Sequence, residues 1–186
     1  TYNEVDLSSV IAIRKKYQDQ FVKKHNTKLG FMSFFVKASV NSLQSFPHLN
    51  AELHQDELIV KKYYDIGIAV ATDEGLVVPV LRGADKLSSA EIELGIAELA
   101  TKSREKKITL QELQGGTFSI TNGGVFGSLM STPLLNPPQV GILGMHKIME
   151  KPLAVDGEIV IRPVMMLAVT YCLLYTSPSP RDRVLS

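Results

Sequence analysis

The spacing of apolar residues changes period along the chain, and each change marks a different kind of element. In "EVDLSSVIAIRKKYQDQFVKKHN" a short extended piece leads into a helical repeat, with Val10, Ile13, Tyr17 and Phe21 on one stripe and Ser8 or Ser9 as the cap. "SFFVKASVNSLQSFP" predicts a second, more apolar helix that ends before Pro47, because a proline pushes the preceding residue out of the α region. From Ala51 the period shortens. "AEL", "ELIVKKYY", "DIGIAVAT" and "GLVVPVL" are β-rich runs, and Asp73, Glu74 and Gly75 supply a hairpin turn.

A third helix follows in "LSSAEIELGIAELATKSREKK", where Ser88 and Glu91 stand at capping-box spacing. Ile92, Ile96 and Leu99 share one of its faces, and its last turn is basic, as the helix dipole favours. "GGTFSITNGG" reads as a strand running into a turn, "VGILGMHKI" and "GEIVIRPVMMLAVTY" as further strands, and "NPPQ" as a rigid bend. Helices interrupting a set of strands predict an α/β fold: a two-layer sandwich whose mixed sheet is covered by helices.

Length and charge narrow the possibilities. The 186 residues suit one domain with a real core. Twenty Lys and Arg against nineteen Asp and Glu give a net charge of +1, which argues against a nucleic-acid binder. No run reaches the roughly 18 apolar residues that span a bilayer, so no membrane partner is expected. One cysteine, Cys172, cannot form an internal disulfide and fits a reducing compartment.

Candidate chemistry is sparse. His25 ends a basic helix, and His48 and His54 flank a turn without Cys or carboxylate at metal-ligand spacing, so no metal site is expected. The "REKK" run beginning at Arg104 reads as a solvated helix end. "GGTFSITNGGVFGS" lacks the Lys-Ser/Thr pair of a phosphate loop, and Asn122-Gly123 is read as a tight turn whose residues tolerate positive φ. Two residues stand out. Thr121 carries a hydroxyl where a strand ends, a rigid place from which to aim a donor at a reacting atom, and His146 follows a buried-looking strand and is placed to line a pocket.

"KLGFMSFFVKAS", "FPHLNAEL", "DIGIAVATDEGLVVPVLR" and above all "GGTFSITNGGVFGSLMSTPLLNPPQVGILGMHKI" resemble the catalytic core of the dihydrolipoyl acyltransferases of 2-oxoacid dehydrogenase complexes. "TNGGVFGSLMSTP" and "NPPQ" resemble the succinyl-transferring branch of that family. The resemblance implies a chloramphenicol-acetyltransferase-like fold and a homotrimer assembling into a larger core. It also implies transfer of a succinyl group from dihydrolipoyl lysine to coenzyme A. Both are substrates, and no tightly bound cofactor or metal is expected. Partners would be the 2-oxoglutarate decarboxylase and dihydrolipoamide dehydrogenase components, in a bacterial cytoplasm or a mitochondrial matrix. By the same resemblance Thr121 is the oxyanion donor, and Asn122, Gly123 and His146 border the substrate.

Relatives continue the last strand into Asp-His-Arg-x-x-x-Asp-Gly, which supplies a general-base histidine and a supporting aspartate. Here Tyr171 is followed by Cys172, Leu173 and Leu174, and neither group exists in the chain. "CLLYTSPSPRD" resembles a translated sequencing adaptor. Residues 1–171 are therefore expected to be an acyltransferase core truncated at both ends, and 172–186 a disordered, non-native tail. Three activities follow as expectations: a succinyltransferase fragment of low activity, a non-catalytic oligomeric scaffold, or a relative acting on acetyl or branched-chain acyl groups.

Overall fold

The computed structural model describes residues 1–54 and 57–173. Its centre is a six-stranded mixed sheet in the order β1-β10-β9-β8-β4-β7. β1 (Tyr2–Asp6) runs antiparallel to β10 (Glu158–Tyr171), which pairs antiparallel with β9 (Gly141–Val155). β9, β8 (Phe118–Asn122) and β4 (Ile66–Ile68) are mutually parallel, and β7 (Val80–Leu81) closes the far edge antiparallel. Two small ribbons flank this sheet, β2 (Ala51–His54) with β3 (Glu57–Val60) and β5 (Val70–Thr72) with β6 (Gly75–Val77). The last of these is the hairpin expected at Asp73–Gly75.

Helices cover one face. α2 (Met32–Ser45) and α3 (Ser89–Arg104) bury Val36, Val40, Leu43, Ile92 and Leu99 against Ile66, Phe118, Ile120, Leu143 and Met145 of the sheet, and α1 (Ser8–His25) packs the partly buried Val10 and Ile11 on the same core. α2 buries Phe35, Val36, Ser39, Val40 and Leu43, the positions one helical face presents. It stops at Ser45, two residues before Pro47. α3 begins with a complete capping box: the Ser88 hydroxyl accepts the Glu91 amide at 3.3 Å and the Ser88 amide donates to the Glu91 carboxylate at 2.7 Å. A fourth helix, α4 (Leu110–Leu113), is one turn long and carries the same device through Thr109 and Glu112.

α1 departs from expectation in two ways. Leu7, not Ser8 or Ser9, occupies the cap position, and the Asp6 carboxylate accepts the Ser8 amide at 2.8 Å. The buried stripe is also displaced, since Ile13 and Tyr17 are each 43% exposed. Arg14 and Gln18 take the inward face because the loop after the helix needs partners: Arg14 Nε donates to the Leu29 carbonyl, and Gln18 Oε1 accepts the Leu29 amide. The Arg14 guanidinium also lies 4.0 Å from the Phe31 ring centroid.

β9 and β10 are longer than their neighbours and meet in a two-residue Asp156-Gly157 turn, with positive φ at both positions. Cys172 donates its amide to Val140 and Leu173 is exposed. The rest of the expected tail, residues 174–186, lies outside the described residues. Among the described residues no helix is long and apolar enough to cross a membrane.

Two measurements test this account. Replacing Ser88 by Ala should cost about 1 kcal/mol, read as a lower urea midpoint with an unchanged slope. The Lys102 ammonium, bonded to Glu112, and the Thr109 cap hold the Glu112 carboxyl down at about 2. A depressed carboxyl stabilises the fold above its ordinary value of about 4.5 and loses that contribution as pH falls toward 2. Lys102→Met should therefore flatten the acid limb of the stability curve and leave its shape above pH 5 unchanged.

Candidate active site

The site grows out of the end of β8. Phe118 and Ile120 enter the helix-side core, so strand alternation places Ser119 and Thr121 on the opposite face. Thr121 lies level with Gly144 of β9 and Asn122 level with Met145. The Gly123 amide then donates to the Met145 carbonyl at 2.9 Å, and the Asn122 side chain accepts the Gly124 amide at 2.9 Å. A 3-10 turn over Gly124–Phe126 follows.

The expected positive-φ turn at Asn122-Gly123 is not found. Asn122 still pairs in the sheet and Gly123 is right-handed at φ −79°, while the left-handed position is Gly127 at φ +76°. Gly124 is required for a different reason. A Cβ there would lie 2.6 Å from the His146 carbonyl oxygen, a backbone atom that cannot yield.

Thr121, Asn122 and Gly123 line a cavity of about 350 Å³, together with Phe126 from the turn and Ile96 and Arg104 from α3. The walls are mostly carbon. The Thr121 hydroxyl is half-buried and makes no hydrogen bond among the described residues; the residue borders this cavity at the end of β8, with its side chain on the Gly144 side of the strand. A larger cavity of about 540 Å³ lies between α2 and the β1 side of the sheet, lined by Leu7, Phe34, Leu43 and Leu167. Of its polar side chains, the Ser42 hydroxyl donates to Ala38 and the Asp6 carboxylate accepts the Ser8 amide. It offers no reactive group.

His146 is placed differently from a pocket-lining residue. It is 1% exposed, and both ring nitrogens are used. Nδ1 lies 2.7 Å from the Met166 carbonyl, which can only accept, so Nδ1 carries the proton. Nε2, 2.8 Å from Ser131 Oγ, then accepts the serine hydroxyl. The ring is a peg holding the segment after β8 on the sheet. Further pegs are the Lys147 amide on Ser128, the Thr170 hydroxyl on Pro133, and Tyr2 with Thr132. His25 stacks near Phe21, and His48 sits in the 3-10 turn Pro47–Asn50. Among the described residues no histidine lines the Thr121 cavity and no group of three metal-ligating side chains gathers.

Two wall residues were not foreseen. Phe126 follows the glycine pair of the turn, and Arg104 belongs to the charged run at the end of α3, which is exposed as expected and reaches the cavity from there. Neither position has a local signal, because both reach the site through tertiary packing.

Comparison with known proteins supplies the context. The family model of the 2-oxoacid dehydrogenases acyltransferase (catalytic domain) matches residues 1–171. The dihydrolipoyllysine-residue succinyltransferase component of the 2-oxoglutarate dehydrogenase complex of Bacillus subtilis is 63% identical over 172 residues, 92% of this chain and 41% of that protein. Its counterpart from Rickettsia typhi is 58% identical over 171 residues, 92% of this chain and 43% of that protein. The chain thus spans less than half the length of these curated relatives. The cubic core of the pyruvate dehydrogenase multienzyme complex superposes with a TM-score of 0.90 at 32% identity, covering all of this chain and 76% of that one. Chloramphenicol acetyltransferase, at 11% identity and a TM-score of 0.56, shares the fold, with all of this chain and 82% of that one covered.

The histidine assignment is checked by ¹⁵N spectroscopy of the imidazole: neutral His146 should show a protonated Nδ1 and an unprotonated Nε2. Gly124→Ala should destabilise the protein by about 1–3 kcal/mol through the clash with the His146 carbonyl, read by urea denaturation.

Proposed function

The chain belongs to the 2-oxoacid dehydrogenase acyltransferase family, matched through its catalytic domain over residues 1–171, and on that premise we propose that it is the catalytic part of a dihydrolipoyllysine-residue succinyltransferase. The observation that carries the reading is Thr121: a hydroxyl with no partner among the described residues, at the end of a central strand that borders a mostly apolar cavity. Identity of 63% to a succinyltransferase supports the choice of acyl group.

The reaction sets two demands. The thiol of coenzyme A attacks the carbonyl carbon of the succinyl thioester, forming a new C–S bond and pushing the carbonyl electrons onto oxygen. The Thr121 hydroxyl donates to that oxyanion, in a site where a correctly aimed donor is worth roughly two to three powers of ten. Collapse of the intermediate restores the carbonyl, breaks the old C–S bond and releases the dihydrolipoyl thiolate, which must take up the proton lost by the attacking thiol. A thiol with a pKa of about 8.5 is mostly protonated at neutral pH, so a base is needed to move that proton. The four histidines of the chain are His25, His48, His54 and His146, and those whose side chains are described lie away from the cavity. Among the described residues no histidine lines the cavity, so the reaction calls for a proton carrier from outside that lining. Coenzyme A and the dihydrolipoyl lysine of a partner domain enter as substrates, with no resident cofactor.

Assembly belongs to the same reading. Val125, Phe126, Leu129, Met130 and Leu134 put five exposed large apolar side chains within ten residues, right after the strand that carries Thr121. A homotrimer built into a larger core would cover such a surface, and the oxidative decarboxylase and dihydrolipoamide dehydrogenase components would bind around it. The same surface favours a second reading, a scaffold that assembles without turning over. Light scattering decides between an oligomer and a monomer, and an assay decides whether it is active.

That assay compares succinyl transfer from S-succinyl-dihydrolipoamide to coenzyme A for the chain as written and for one continued after Tyr171 with Asp-His-Arg-x-x-x-Asp-Gly. The first should be slower by roughly two to four powers of ten. Within the continued chain, Thr121→Ala should lower kcat by roughly two to three powers of ten with little change in KM, and Thr121→Ser should restore most of it. Equal rates for Thr121 and its alanine variant would remove the oxyanion role.

A further inference from the structure

The cations around the end of α3 divide into two kinds. Lys102 bonds Glu98 at 2.8 Å and Glu112 at 2.9 Å, Lys107 bonds Glu105 at 2.8 Å, Arg82 bonds Asp65 at 2.8 Å, and Lys106 pairs with Glu74. The exposed side chain of Arg104, in the same last turn, makes neither a hydrogen bond nor an ion pair among the described residues. It lines the Thr121 cavity and also an adjoining notch of about 260 Å³ that it shares with Ala71, Thr72 and Asp73. The exposed Lys106–Glu74 pair links the β5–β6 turn to the end of α3.

The helix dipole explains why cations gather here, and Lys102 already answers it. It does not explain a guanidinium left unpaired between two concavities while its neighbours are paired. Such a group presents a planar fork of donors, suited to a carboxylate or a phosphate. Arg104 therefore adds a cationic fork to the mostly apolar walls of the cavity that Thr121, Asn122 and Gly123 border. Asp73 is the opposing charge. It shares the notch without an ion pair to Arg104 and weakens the attraction felt by an anion there.

We propose that Arg104 is the anion-recognition residue of the Thr121 cavity, binding either a phosphate of coenzyme A or the carboxylate of the acyl group. The inference rests on the acyl-transfer reading and adds a residue that determines specificity. It needs no catalysis to test, because recognition is read by binding to the whole chain.

Calorimetric titration of the unaltered protein, Arg104→Gln, Arg104→Lys and Asp73→Asn with four ligands separates the outcomes. The ligands are coenzyme A, pantetheine, S-succinyl-dihydrolipoamide and S-acetyl-dihydrolipoamide. Arg104→Gln should weaken one charged ligand by about tenfold or more and leave its uncharged counterpart unchanged. A loss confined to coenzyme A over pantetheine assigns the phosphate; a loss confined to the succinyl over the acetyl compound assigns the carboxylate. Arg104→Lys should recover part of the loss, and Asp73→Asn should tighten the same ligand by about two- to fivefold. Equal weakening of charged and uncharged ligands, or no weakening, overturns the proposal while the functional reading survives. An unaltered protein that binds none of the four overturns both.

Discussion

The site depends on how closely the chain after β8 can lie against β9. Two glycines set that distance. Gly124 lets the turn come within a Cβ's reach of the His146 carbonyl, and Gly144 leaves the hollow in β9 into which Pro133 packs, since a Cβ there would lie 2.6 Å from the Pro133 ring. Between them the His146 ring joins Ser131 to the Met166 carbonyl, so a buried polar residue with both nitrogens satisfied pins the segment to β9 and β10 together. The end of β8 is then held from both sides, and Thr121 is presented from a backbone with little freedom to retreat.

That arrangement uses polar side chains in opposite ways. His146 spends its hydrogen bonds on the fold, and the Thr121 hydroxyl makes none among the described residues. The same contrast recurs at α3, where Lys102 and Lys106 hold elements together while Arg104 stands on a cavity wall. Side chains consumed by structure and those left available alternate within a few residues. Chemistry at this site is a matter of which groups packing leaves unpaired.

Much of the fold was legible because local chemistry and tertiary packing agree in it. The Ser88–Glu91 box, the stop before Pro47, the Asp73–Gly75 hairpin and the long final strands all appear where residue pattern put them. α1 was misread because its inward face carries Arg14 and Gln18, whose partner is a backbone loop, and periodicity counts only apolar residues. The Thr109–Glu112 box of α4 carries the same signal as that of α3 but opens only a single turn. At the site, the strand end at Thr121 was readable from the residues. The pattern of Asn122-Gly123 predicts a positive-φ turn that the structure replaces with a right-handed Gly123, and only the family resemblance put those two residues beside a substrate. The role of Arg104 was not readable, because charge alone cannot distinguish a cation that has a partner from one that has none.

The pairing of β1 with β10 joins residues far apart in sequence: Tyr2 faces Ala168 and Asp6 faces Val164. A growing polypeptide cannot complete this edge until almost every residue of the sheet has emerged, and the loop it must close holds every strand from β2 to β9. The entropy of that closure has to be met before the contact returns anything, which places the sheet among slow, late-forming topologies. During synthesis the apolar side of β8 and the helices therefore wait without their outermost strand, which makes shielding by a chaperone most valuable in that interval.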